Sequence, residues 1–126
     1  MDVTRIRALR GPNLWTRHTA IEAVVQCTAQ ELDIRQINGF EEHLRQRFPD
    51  IGSLPPPTPQ GAVSMAHTLE LATLALQTHA GCTISFSRTT PAPDAGVFQV
   101  VVQYSQEEVG RRAMELAQEL IQAALN

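Results

Sequence analysis

The chain has 126 residues, 43% of them hydrophobic and 18% charged, and a formal net charge of −3; this is one domain's length of soluble chain, able to bury a core without disulfide or metal staples. All ten basic residues are arginine, which excludes Schiff-base chemistry and a Walker lysine, and the slight acidity gives no reason to expect nucleic acid or an anionic membrane as partner. Cys27 and Cys82 lie far apart with no CxxC and read as small buried thiols in a reducing cytosol; with no apolar run of signal-peptide or membrane-span length, the expected location is cytoplasmic.

In chain order, "VTRIRAL" (3–9) alternates imperfectly, as suits a strand near an edge, and "RGPN" (10–13) then turns the chain. Trp15, the only tryptophan, is expected to anchor the core. "TAIEAVVQCTAQEL" (19–32) supports two readings. Thr19 and Glu22 make a capping-box pattern, with Ile21, Val24, Val25, Thr28 and Leu32 at helical spacing; Ile21, Ala23, Val25 and Cys27 also alternate, and valines fit strands.

"NGFEEHLRQRFPD" (38–50) predicts a short helix capped by Asn38 and stopped by Pro49. Glu41 and Glu42 sit in its first turn, Arg45 and Arg47 in its last, and Phe40, Leu44 and Phe48 form its buried stripe. "SLPPPTPQG" (53–61) reads as a stiff spacer. A second helix is expected from about residue 63 to 78, closed by Gly81 in a left-handed cap. "CTISFS" (82–87) is expected as a strand with Cys82, Ile84 and Phe86 inward, "APDAG" (92–96) as a turn and "VFQVVVQY" (97–104) as a second strand. Ser105 then caps a last helix with a buried stripe of Val109, Ala113, Leu116, Leu120 and Ala123.

Chemistry concentrates in "AHTLELATLALQTHAG" (66–81). On a helix, residues 67, 70 and 71 share one face. His67 and Glu70 therefore supply two members of an H-x-x-E-H arrangement, in which two histidines bind zinc and the glutamate is catalytic. Leu71 stands at the third position and cannot ligate, and the spacing of His18, His43 and His79 recommends none as a substitute. The alternative is a His67–Glu70 hydrogen-bonded pair in a packed helix, so no catalytic residue and no metal ligand is assigned. Arg88, in "SRTT" after a strand, could fork onto a carboxylate. Arg5, Arg7 and Arg10, like Arg111 and Arg112, read as solvated clusters.

Taken in order, "LRGPNLW" (9–15), "INGFEEHLRQRFP" (37–49), "AHTLELATLALQTHAG" (66–81), "SFSRT" (85–89), "GVFQVVVQY" (96–104) and "EEVGRRAMELAQELI" (107–121) resemble the N-terminal domain of cyanophycin synthetases over nearly the whole chain. The resemblance favours a strand at about 20–28. The implied fold is α+β, an antiparallel sheet of about four strands packed against about three helices in the order ββααββα.

The resemblance further implies that residues 1–126 are one domain of a larger, homo-oligomeric ligase. ATP and Mg would be used by its ATP-grasp and Mur-ligase-like domains, which are absent here, and this domain would need no cofactor. The family's product, cyanophycin, is a polyaspartate backbone with arginine on each side-chain carboxylate. The expected role is non-catalytic binding of that polymer, with Arg88, Glu70, His67 and Arg10 as candidate contacts. Two alternatives are a metal-dependent peptidase centre, disfavoured because Leu71 breaks the motif, and a docking or oligomerisation module.

Overall fold

The computed structural model describes residues 1–11, 18–27, 34–51 and 65–125. One antiparallel sheet is built from β1 (Asp2–Leu9), β2 (Ala20–Gln26), β3 (Ser87–Pro91) and β4 (Val97–Gln103), in the order β1-β2-β4-β3; apolar residues alternate along β2 and β4, while β3 is polar and joins through its pairing with β4. Three helices, α1 (Ile34–Arg47), α2 (Met65–His79) and α3 (Glu107–Leu125), complete the expected ββααββα order. Helix α2 lies against β3 and β4, α3 packs on α2 and reaches β1 and β2, and α1 packs on α3.

Strand periodicity gives the sheet two unlike faces. Ile21, Ala23 and Val25 of β2 sit beside Val102, Val100 and Phe98 of β4 on the inner face; all belong to or pack against a core with Leu69, Ala72, Leu76, Met114, Ala117 and Ile121. Truncating a fully buried residue such as Leu69 to alanine would cost about 2–5 kcal/mol. The residues between them point to the outer face. Glu22 therefore lies outward in a strand that is otherwise buried along almost its whole length.

The 19–32 segment resolves as a strand over Ala20–Gln26. Its capping-box pattern goes unused: the Thr19 hydroxyl donates to the Tyr104 carbonyl (3.0 Å), and the Tyr104 N–H donates to the Thr19 carbonyl (3.1 Å). Residues 28–33, like Trp15 and the proline-rich 53–61 spacer, lie outside the described residues.

Two boundaries and one buried stripe differ from expectation. Helix α1 begins at Ile34, so Asn38 lies inside it and is not its cap; the Phe40 and Leu44 stripe is nevertheless buried, and Phe48 follows the helix, half-buried. The strand after α2 is Ser87–Pro91, and 82–86 are irregular. Register decides this: Ser87 to Pro91 are the residues opposite Val102 to Phe98, whatever the alternation of Cys82, Ile84 and Phe86 suggested. In α3 the buried side is Gly110, Ala113, Met114, Leu116, Ala117, Leu120 and Ile121; Val109 is half-buried and Ala123 exposed.

Two glycines serve identifiable needs. Gly81 adopts φ 95° as α2 ends; its N–H donates to the Thr78 carbonyl and that of Cys82 to the Gln77 carbonyl, both 3.0 Å, which is a Schellman closure. At Gly110 a Cβ would lie 2.7 Å from Tyr104 Cβ and 3.2 Å from Gln77 Oε1. The bare backbone thus lets α3 sit close to the sheet. The fully buried Gln77 donates to the Gln103 carbonyl (3.0 Å), and its Oε1, without a conventional partner among the described residues, faces the Cα–H side of Gly110.

Candidate functional site

The inner end of edge strand β3 and the face of α2 beneath it form a polar cluster in an otherwise apolar layer. Alternation on β3 turns Ser87 and Thr89 inward and Arg88 outward. Helix α2 presents Glu70 to the two hydroxyls: Ser87 Oγ donates to Glu70 Oε2 (2.6 Å) and Thr89 Oγ1 to Oε1 (2.7 Å). His67, one turn earlier, places Nδ1 3.2 Å from Glu70 Oε1 and donates to it when that nitrogen carries the proton. Glu70 is only 5% exposed. Its burial is tolerated because each carboxylate oxygen accepts at least one short hydrogen bond.

The cluster can order an edge strand and present a half-exposed imidazole, but it does not offer Glu70 as a free carboxylate. Nor does it fit a zinc ion. Leu71 supplies no ligand atom, Glu70 is already engaged by two hydroxyls, and among the described residues no group of three or more His, Cys, Asp or Glu side chains is placed to hold a metal.

The four residues singled out from the sequence are thus only partly brought together. His67 and Glu70 touch each other. Arg88 is one residue from both hydroxyls in sequence, yet it lies on the opposite face of the sheet, exposed and without an ion pair among the described residues. Arg10 lies beyond the end of β1, where it forks onto the first turn of α3: Nε is 2.7 Å from Glu107 Oε1 and Nη2 3.2 Å from Oε2. The shared hydrogen bonds hold the Glu107 carboxyl below the ordinary carboxylate range and push the Arg10 guanidinium upward.

A second charged cluster, read from the sequence as solvated, occupies the outer face. Register places Arg7 opposite Glu22, and Arg5 opposite Val24 one step along. Glu22 is 0% exposed, and both guanidiniums close over it: Arg5 Nη2 and Arg7 Nε lie 3.0 and 2.9 Å from Oε1, and Arg7 Nη2 3.3 Å from Oε2. The R-x-R alternation with a lone Glu in the next strand was the available clue. It became informative only once the β1–β2 register was known.

Elsewhere, an open apolar groove of about 610 Å³ runs between the ends of α1 and α2 and the start of α3, floored by Phe48, Leu76, Ala113 and Leu116. It touches neither polar cluster. Both cysteines are free and half-buried, and burial pushes the Cys27 thiol upward, away from the reactive thiolate. No described helix is long and apolar enough to cross a membrane.

Cyanophycin synthetases from Trichormus variabilis and a Nostoc species are each 33% identical to the chain over 138 residues, and one from a Synechocystis species is 28% identical over 139. Each alignment covers 100% of this chain but only 15–16% of the relative, so the chain spans about a sixth of their length. The model of the cyanophycin synthase-like N-terminal domain matches residues 59–126, which include α2 with His67 and Glu70, both strands of the β3–β4 pair and α3. With more than half of its residues under that model and its whole length aligned to those synthetases, the chain belongs to the cyanophycin synthase-like N-terminal domain family.

Proposed function

We propose that this domain is a non-catalytic holder of cyanophycin within an ATP-dependent cyanophycin synthetase, with the ATP-grasp and Mur-ligase-like parts of the same protein as its covalent partners. The observation that carries the non-catalytic half is the state of the His67–Glu70 pair. Leu71 occupies the position of the second histidine, and the carboxylate that would serve a metal-bound water accepts hydrogen bonds from Ser87 and Thr89 instead. The binding half is supported by family membership and by the exposed Arg88 and half-exposed His67 on either side of the β3 edge. Arg88 can receive a polymer carboxylate through two parallel N–H donors. The half-exposed His67, backed by Glu70, can meet the polymer from the helix side. Arg10 keeps a largely exposed side chain beyond its bond to Glu107 and is a weaker contact.

Each exposed ion pair is worth about 0–1 kcal/mol, so affinity arises from many repeats engaging in succession. Titrating the domain with soluble cyanophycin segments should give salt-sensitive binding that tightens with segment length; no binding at about millimolar concentration, in the range where a few weak pairs still register, rejects the role. A metal and cleavage assay separates the peptidase alternative. Wild-type protein dialysed against zinc is expected to retain none and to leave the polymer uncut, and Leu71→His, which restores a second imidazole on the helix face, is expected to raise zinc uptake.

A further inference from the structure

The sheet ends in two unlike edges. Strand β3 is five residues long, carries Arg88 near its middle and stops at Pro91, features that discourage a further strand. Strand β1 is eight residues long, contains no proline, and beyond β2 meets chiefly α3 among the described elements. Hydrogen bonds at the two ends of the β2–β4 pair fix which of its backbone groups are free. The Cys27 N–H donates to the Gly96 carbonyl and the Tyr104 N–H to the Thr19 carbonyl, so odd-numbered residues of β2 bond to β4 and even-numbered ones to β1. Their partners Asp2, Arg5, Arg7 and Leu9 therefore turn their amides and carbonyls towards β2, and those of Val3, Ile6 and Ala8 face the open edge. The side chains of the same three residues are only half-buried on the inner face.

The charges along β1 do not balance within one chain. Glu22 draws both Arg5 and Arg7, while Asp2, at the other end of the strand, is exposed and has no ion pair among the described residues. Pairing two copies of β1 antiparallel, about a two-fold axis between Thr4 and Arg5, places Asp2 opposite Arg7 of the second copy and Val3 opposite Ile6. The first is a non-hydrogen-bonded pair, in which side chains approach most closely, and the second a bonded pair of apolar residues.

The bulge between Val3 and Arg5, where Thr4 is the extra residue, permits this register. In a regular strand Asp2 and Arg7 would point to opposite faces; the extra residue puts both on the outer face, and Val3 and Ile6 both on the inner. A second β1 carries the same extra residue at the same place, whereas a regular strand laid on this edge would fall out of step beyond it. The alternative register with Ile6 opposite Ile6 sets Arg5 against Arg7 and is opposed by like charge.

We propose that β1 is a docking strand for a second copy of this domain. Two copies join edge to edge and extend two four-stranded sheets into one continuous sheet, with Asp2 of each on the Arg7 that Glu22 holds in the other. Glu22 fixes that guanidinium before the copies meet, which removes part of the ordering cost of association. Both β3 edges, with their His67–Glu70 clusters, stay free at the far ends of the joined sheet, so the interface is independent of the polymer role.

Sedimentation equilibrium of the whole chain should show a monomer–dimer equilibrium that weakens with salt. Asp2→Arg changes an exposed side chain and should leave the circular dichroism unchanged. It should weaken dimerisation about tenfold or more, because both symmetry-related pairs turn from attraction to repulsion. A second measurement reads the register. In a Cys27→Ser, Cys82→Ser background, Val3→Cys and Ile6→Cys proteins should each cross-link little alone on mild oxidation. Mixed, they should form a disulfide-linked dimer, since the opposed Cα atoms lie about 5.5 Å apart. A chain that stays monomeric up to about millimolar concentration would overturn the proposal. So would a dimer as tight in Asp2→Arg as in wild type, or a Val3→Cys protein that cross-links to itself as readily as to Ile6→Cys.

Discussion

Two buried glutamates on opposite faces of one sheet show how differently the same side chain can be accommodated. Glu70 sits on the helix side and is satisfied by two neutral hydroxyls and an imidazole. Glu22 sits on the outer side and is satisfied by two guanidiniums. Hydroxyl donors suit the inner layer because they desolvate at little cost, whereas a guanidinium there would itself need burial. On the outer face arginine can bury its stem while its charged head stays in water. The result is one carboxylate used to order an edge strand and one used to hold surplus positive charge at the surface.

The largest effect is expected from stranding Glu22. Replacing Arg5 and Arg7 by glutamine while keeping Glu22 leaves a buried charge without a cation, and should destabilise the domain by about 3 kcal/mol, read as a lower urea midpoint at constant m. Adding Glu22→Gln should recover most of that loss; if it does not, the arginines act by covering the sheet and not by pairing. Removing both hydroxyls from Glu70, with Ser87→Ala and Thr89→Val, should cost about 2 kcal/mol, since a buried carboxylate loses two acceptor contacts at once. Amide exchange should show β3 opening before β1, and an unchanged β3 would mean that the cluster does not order the edge.

Smaller still is the Arg10–Glu107 contact. The Glu107 carboxyl titrates below its ordinary range when folded, so the contribution is present at neutral pH and is lost as pH falls through the folded-state value. Arg10→Ala should therefore lower the melting temperature slightly at neutral pH and low salt, and the difference from wild type should vanish in acid or in molar salt. Arg88→Gln is expected to leave stability within about 0.5 kcal/mol, because the side chain is exposed and unpaired among the described residues, while weakening cyanophycin binding up to about fivefold. A stability loss as large as that of the Ser87/Thr89 variant would show that Arg88 is part of the scaffold.

Much of the fold was legible in the chain because it rests on local patterns. "VFQVVVQY" alternates and is β-branched, and it forms β4; "AHTLELATLALQTHAG" has helical spacing and a terminal glycine, and it ends in a Schellman turn. The segment at 19–32 was not decided by its own residues, since capping and alternation compete there; two neighbouring strands supply the hydrogen bonds that settle it. The misplacement of the strand at 82–87 has the same origin: pairing with β4, absent from any local window, selects 87–91.

For the candidate site the division is sharper. The sequence by itself determined that His67 and Glu70 share a helix face and that Leu71, on the same face, cannot complete a zinc site. Both follow from the 3.6-residue period within one element. Only the tertiary structure decided that the two hydroxyls meet Glu70, that Arg10 is bound to Glu107, and that Arg5 and Arg7 converge on Glu22 with Arg88 across the same face. These contacts join residues between 15 and 97 positions apart. Cross-strand register and helix packing set them, and no local pattern encodes either.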